Sequence, residues 1–553
     1  VATARADADA LTQATASSNG TAEDGRTVDE VLASMATYQD SPAYGATFVN
    51  TYGIEKFIEL PISVYWHYTK YTGQRAAGYG DYRADTEAID KANGILAHLL
   101  AGATQTEKVP DGFDSWADAL YETSTVKGHR GRVSCLNELL SASNAVYDTS
   151  TLVNLATKME SQDSSNGGYY DGDPASRTPD QISGWHDAGY GNFYNEGRAF
   201  PGGHMDPMYG VMVAMGNNPE AAVEYLTPEG DGSVDGNGVW VPGQTTVDRW
   251  AMLTSRDWDP DCGLDSFTSV LGAASSFRNR APSETDPDVS ATADARATYA
   301  CGRAMSYFGG EGFTKKDFTD TTKHNLAVVV ANSPEEVAAA AAGKDEVSTG
   351  GEGPSVARWG VTPTDMSTMI FRFGDSQDAM TVASTGVGDY HHRRIEKAMS
   401  IDDPGQSNLG DEYEQLATSS SYLTELSRMR YDEDMKADSR HAEDPSKAST
   451  HPVPNLLLAQ AYGDAMNHGL LTDPSTLTTA KGHDWAVSDP DHPDAAPTVD
   501  IAGLTRGQAD DMTAWEENSV TNKNDLRVLN EISHLINAGW GNGRDAASDA
   551  RTN

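Results

Sequence analysis

A spacing of three to four between apolar residues recurs along most of this chain, and that period is the signature of helices with one buried face. In "IEKFIELPISVYWHYTKYTG" (54–73) it aligns Ile54, Phe57 and Ile58, then Ile62, Tyr65 and Trp66, with Pro61 marking a break or kink. "TVDEVLASMATY" (27–38) adds a Thr N-cap and an acidic first turn. The same pattern returns in "ADTEAIDKANGILAHLLAGAT", "FDSWADALYET", "RVSCLNELLSASN", "NPEAAVEYL", "RATYACGRAMSYF", "KHNLAVVVANSPEEVAAAAAG" and "NLLLAQAYGDAMNHGLL". No strict repeat of about 20–50 residues links these segments, so they do not read as a solenoid. The fold class they predict is mainly α: a two-lobed helical array with long Gly/Asp/Tyr-rich loops and at most a small β-hairpin, placed at "GVWVPG" (238–243).

Composition divides the chain. Residues 1–28 are rich in Ala, Thr, Ser and Asp and read as a mobile arm or frayed helix. A first helical lobe is expected over 29–342, interrupted by a Gly-, Tyr- and Asp-rich tract at 163–203. "GKDEVSTGGEGPS" (343–355) reads as a linker, followed by a second helical lobe over 356–486. Residues 487–553 open on the Pro/Asp-rich "VSDPDHPDAAPT" and end in a helical pair.

Charge narrows the partners. Acidic residues outnumber basic ones 82 to 40, a formal charge of −42, and such a field repels phosphate backbones and anionic membranes. Neither nucleic-acid binding nor peripheral membrane attachment is expected. No apolar run reaches the length of a membrane span, and the start shows no basic segment leading into an apolar one, so no Sec-type signal is visible. Cys135, Cys262 and Cys301 are too few and too scattered for a disulfide framework, and no C-x-x-C pair exists; they read as small core residues.

The sharpest chemical feature is "GWHDAGYGNFYNEG" (184–197), where Trp185, His186 and Asp187 stand together in the loop tract. It resembles the Trp-x-Asp-Ala-Gly-Asp element of family 9 glycoside hydrolases, which are helical barrels. "DYHHRRIE" (389–396) resembles that family's His-His-Arg substrate-binding element at His391, His392 and Arg393. The resemblance implies that Asp187 orients or deprotonates water, that Trp185 and His186 line the sugar, and that a Glu among Glu412, Glu414 and Glu425 is the acid. Two departures weigh against it. Tyr190 stands where the second Asp belongs, and a phenol with a pKa near 10 is no base near neutral pH. None of the three Glu follows an Asn in the expected context.

Metal chemistry finds only fragments. "DGSVDGNGVWVP" (231–242) starts like a calcium loop with Asp231, Ser233 and Asp235, but Pro242 occupies the position of the closing Glu. These acids read as turn residues, with Asp231 and Asp235 as weak metal candidates. His186, His204 and Asp206 share the long loop without a zinc signature, and no H-E-x-x-H, phosphate-binding loop, G-x-S-x-G elbow or dinucleotide fingerprint occurs. No cofactor is expected.

A second resemblance covers more of the chain. "SPAYGATFVNTYGIEKFIELP" (41–61), "NGILAHLLAGAT" with "DSWADAL" (93–120), "GRVSCLNELLSASNAVYDTSTLVNLATKM" (131–159), "DPMYGVMVAMGNNPEAAVEYL" (206–226), "WAMLTSRDWDPDCGLDSFTSVLGAA" (250–274) and "KHNLAVVVANSPEEV" (323–337) follow one another in order. Together they resemble an uncharacterised actinobacterial helical family that often stands ahead of a C-terminal toxin in secreted polymorphic-toxin chains. That resemblance implies a non-enzymatic structural or delivery role, with protein partners: a secretion chaperone, a toxin or immunity module, or further copies of itself. It implies a secreted or cell-associated protein and leaves the cytoplasm open. The tail after residue 500 is short for a toxin domain. The rival expectation, from the first resemblance, is a helical-barrel glycoside hydrolase or a non-catalytic carbohydrate-binding relative.

Overall fold

Helix starts follow local chemistry. Thr27 and Glu30 form a reciprocal capping box at the head of Val28–Ala36, as Thr362 and Asp365 do for Pro363–Phe373 and Thr505 and Gln508 for Arg506–Ser519. Ser41 and Asn218 each cap a helix whose first residue is proline, Pro42–Tyr52 and Pro219–Leu226, where the missing N–H costs nothing. A computed structural model of the chain describes residues 1–17, 20–74, 80–126, 131–142, 144–164, 204, 206–236, 238–255, 258, 263–279, 287–313, 318–343, 361–400, 408–437, 454–489, 492 and 495–552. The chain is mainly helical, as its periodicity implies. Among the described residues the strands form three two-stranded sheets.

Those sheets exceed the single hairpin expected. Trp240–Val241, within "GVWVPG", pairs with Ser233–Val234. Ala486–Val487 pairs with Thr498–Val499, and Thr69–Gln74 pairs antiparallel with Gly80–Ala84 through an irregularity between Tyr71 and Gly73. The segment 54–73, read as one kinked helical stretch, is therefore three elements: Ile54–Ile58, Leu60–His67 and a strand from Thr69. Pro61 sits in the first turn of the second helix, where a proline ring is tolerated.

The chain divides into two compact units, Val1–Ser233 with Val241–Phe277 and Val234–Trp240 with Arg278–Asn553. In the first, Pro42–Tyr52 packs on Thr86–Thr104, and Tyr209–Gly216 packs on Gly263–Ser275. Residues 1–28, read as an arm, contain the helix Ala2–Ala16, whose Ala4, Asp7, Ala8, Leu11 and Ala14 are buried. In the second unit the longest helices, Leu409–Ala437 and Lys523–Thr552, lie along each other, and Gln377–Met399 packs between Asp320–Ala331 and Leu409–Ala437. Trp485 and Trp515 meet edge to face, their centroids 5.3 Å apart, within the apolar cluster built on Pro454–Asn467 and Arg506–Ser519. Cys135 and Cys301 are buried free thiols; Cys262 and the linker residues 344–355 lie outside the described residues.

Close helix contact in the second unit depends on Gly386. A Cβ there would lie 2.5 Å from Cβ of Ala331, whereas one on Gly388, two residues along the same helix, meets nothing within 4 Å. Gly386→Ala is expected to lower stability by about 1–2 kcal/mol, overpacking outweighing the gain in helix propensity. Gly388→Ala is expected to be neutral or stabilising by up to about 1 kcal/mol. Chemical denaturation of the two variants side by side checks the pair, and equal effects would contradict the close approach.

Candidate functional site

The His-His-Arg element sits on Gln377–Met399, and helical geometry separates its members. Successive residues turn by about 100°, so neighbours face different ways. His391 continues the buried stripe of Val387 and Ile395 and is fully enclosed, while His392 and Arg393 face solvent. The His391 Nε2 lies 3.0 Å from Ser419 Oγ, and its Nδ1 is buried with no hydrogen-bond partner. Burial, then the charges of Arg394 and His392, pushes the imidazole pKa down to about 3, so it is neutral through the physiological range. His391, His392 and Arg393 do not converge on one binding surface.

The carboxylates named with them are also dispersed. Glu412 is buried and clamped by Arg394, whose Nε and Nη2 donate to its two oxygens at 2.6 and 2.9 Å, and Asn408 donates a third bond at 3.0 Å. Glu425, also buried, accepts from Arg428 at 2.5 and 3.0 Å, with Arg544 at 3.6 Å. The hydrogen bonds from Arg428 hold it below the usual carboxylate range. Glu412 and Glu414, two residues apart in a helix, face away from each other, and Glu425 stands about 20 Å further along the axis. Trp185, His186 and Asp187 lie outside the described residues.

The calcium-like loop is built as a cap and a turn. Asp231 accepts from the backbone N–H groups of Thr245 and Thr246, at 3.1 and 2.6 Å, at the head of Gln244–Ser255, and these bonds outweigh its desolvation to lower its pKa. Asp235 accepts from the Val239 N–H at 2.9 Å. Of the loop residues near "DPMYG", Asp206 is buried and accepts from the Met208 N–H, while the His204 ring packs on Tyr209; His186 lies outside the described residues. Among the described residues no three His, Cys, Asp or Glu side chains gather to hold a metal ion, and no helix is long and apolar enough to cross a membrane.

Two constellations in the second unit escape sequence reading. The first is a cavity of about 730 Å³ walled by Pro334–Ala341, Gln377–Met399, Leu409–Ala437 and Lys523–Thr552. Ala338 and Ala342 supply part of its apolar wall, and Glu335, Tyr390, Arg394, Glu414 and Asp545 its polar one. Arg394 also donates to the Tyr390 hydroxyl at 3.2 Å. Burial, then the adjacent Glu336, raises the pKa of Glu335. The local signal is "PEEVAAAAAG", acids followed by alanines too small to close the space. The second is a buried ionic cluster at Arg278, which donates to Glu336 Oε1 and Ser333 Oγ at 2.5 Å and to Thr298 Oγ1 at 3.1 Å. Burial pushes Asp294 beside it up to about 6, and the enclosed Cys301 thiol up to about 11. Nothing local in the sequence marks the cluster, because its members come from three separate segments.

Residues 1–496 match the family of unknown function DUF6571. The chain belongs to that family. Membership agrees with the expected family of unknown function, and the description attaches no activity to any residue of this DUF6571 chain. No curated protein and no solved structure matches it.

Proposed function

We propose that this chain is a non-enzymatic helical scaffold, the structural or delivery region of a secreted polymorphic-toxin-type protein. The observation that carries the reading is the use made of its buried acids. Glycoside hydrolysis needs a carboxylic acid with a raised pKa and a second carboxylate about 5–10 Å away. Glu412 is instead clamped by Arg394, and Glu425 is held below the ordinary range by Arg428. The Glu412–Arg394 pair ties one helix to another, and neither of these two carboxylates is left free to face a glycosidic bond. The ordered elements between residues 41 and 337 support the toxin-associated context, and with it a secretion chaperone, a toxin or immunity module, or another copy of the chain as partner.

Reducing-sugar release from a glycan panel tests the catalytic half. No release is expected from the wild type or from Asp187→Ala. Release by the wild type that disappears in Asp187→Ala overturns the scaffold reading in favour of the hydrolase. For the delivery half, a reporter enzyme fused behind Asn553 and expressed in an actinobacterial host is expected in the medium, and its retention in the cells would count against delivery.

A further inference from the structure

We propose that a cavity in the first unit, walled by Ala2–Ala16, Val28–Ala36, Leu60–His67 and Thr86–Thr104, binds one medium-length aliphatic chain ending in an uncharged hydroxyl. Its floor is apolar: Leu11, Leu32, Leu60, Val64 and Leu96, drawn from all four helices, are each at most 5% exposed. Side chains that face a gap forgo dispersion contacts, and a run of methylenes supplies them. Size selects the occupant. A helix with its side chains is about 10 Å across, so two turns displace about 850 Å³. The cavity holds about 520 Å³, too little for a partner's helix and within the range of small-molecule sites, about 300–1,000 Å³.

Charge selects the polar end. In a chain 22% charged, none of the described residues lining this cavity is Asp, Glu, Lys or Arg. A carboxylate would enter against the field of a −42 protein and shed water with no counter-charge on the walls. An ammonium would meet no wall carboxylate. Asp29, outside the lining, is 65% exposed and already engaged by the Tyr68 hydroxyl, with His67 Nε2 at 3.5 Å. A hydroxyl needs only hydrogen-bond partners, and the exposed rim carries them in Ser63, Thr15 and His67. Thr15 Oγ1 donates to the Leu11 carbonyl at 2.7 Å and so is oriented to accept. Trp66, 40% exposed on the same rim, gives the chain an aromatic cover where it leaves the floor.

Titration calorimetry of the full chain with 1-decanol, kept below its aqueous solubility, tests this. One saturable site is expected, tighter by about fourfold for each methylene gained from 1-octanol to 1-decanol. Decanoate and decyltrimethylammonium, with comparable tails and charged ends, are expected to bind at least about tenfold more weakly. Ser63→Trp fills the cavity from an exposed position and is expected to abolish binding, while Ala33→Trp, exposed on Val28–Ala36 outside the lining, is expected to leave it unchanged. Hydrogen exchange with 1-decanol bound is expected to slow at amides of Ala2–Ala16 and Leu60–His67 and not at those of Leu409–Ala437. Absence of a saturable site overturns the proposal, as does undiminished binding by a folded Ser63→Trp or an equal loss in Ala33→Trp. Either ion binding as tightly as the alcohol overturns the uncharged end. If Ser63→Trp does not fold, Thr15→Trp, which closes the cavity from the first helix, decides in its place.

Discussion

Arg278→Met is expected to destabilise the second unit by about 3–5 kcal/mol, the usual cost of removing one partner from a buried ion pair. The Arg278 and Glu336 side chains are only 6% and 8% exposed. The guanidinium ties its turn to Ser333 and Glu336 at the head of Pro334–Ala341 and to Thr298 on Pro287–Gly309. Without it Glu336 keeps a buried charge with no counter-charge, and its Oε2 already lacks a hydrogen-bond partner. Arg278→Met combined with Glu336→Met removes both charges and is expected to recover most of the loss. The deficit also depends on pH. Asp294 has its pKa raised from 3.8 to about 6 chiefly by burial, so its contribution to stability is complete below about pH 4 and is lost as pH rises through about 6. Arg278 opposes that rise. Its removal pushes Asp294 further up, so the deficit is expected to be larger at pH 7.5 than at pH 5. Urea denaturation of wild type, single and double variants at both pH values measures this. A pH-independent deficit, or a double variant no better than the single, would refute the cluster as drawn.

The parts of this fold legible in the sequence are those set by neighbours along the chain. Thr27 with Glu30, Ser41 before Pro42 and Asn218 before Pro219 announce helix starts because a cap needs only the next three residues. The strand at Thr69–Gln74 is hidden because its partner begins only at Gly80 and its leading residues continue an apolar helical run. Within the candidate site, the inward turn of His391 could have been read from Val387 and Ile395, four residues to either side, which mark the buried face. The fate of Glu412 could not, since Arg394 reaches it from a different helix. The cavity is less legible still: Glu335 and Asp545 are far apart in sequence, and only helix packing puts them on one wall.

The same non-local logic makes Asp7→Ala the second severe substitution, expected to cost about 2–4 kcal/mol. In sequence Asp7 is one acid among many in an Ala/Asp-rich stretch. In the structure it is 1% exposed and accepts from Tyr44 Oη at 2.6 Å, Ser34 Oγ at 2.9 Å and Arg26 Nη1 at 2.5 Å. One carboxylate thus joins Ala2–Ala16 to Val28–Ala36 and Pro42–Tyr52, with Arg26 holding it from the connecting segment. Alanine leaves the buried Tyr44 hydroxyl and the half-buried Ser34 without their acceptor. Arg26 loses less, since it keeps Asp24 at 2.8 Å and some access to water, which places the cost below that of Arg278→Met. Asp7→Asn keeps the size and one acceptor oxygen and is expected to lose roughly half as much. Hydrogen exchange locates the effect: amides of Ala2–Ala16 should lose protection first, while those of Leu409–Ala437 in the other unit stay protected. If the first helix keeps its protection in Asp7→Ala, the carboxylate is not what fastens it, and its apolar face of Ala4, Ala8, Leu11 and Ala14 suffices alone.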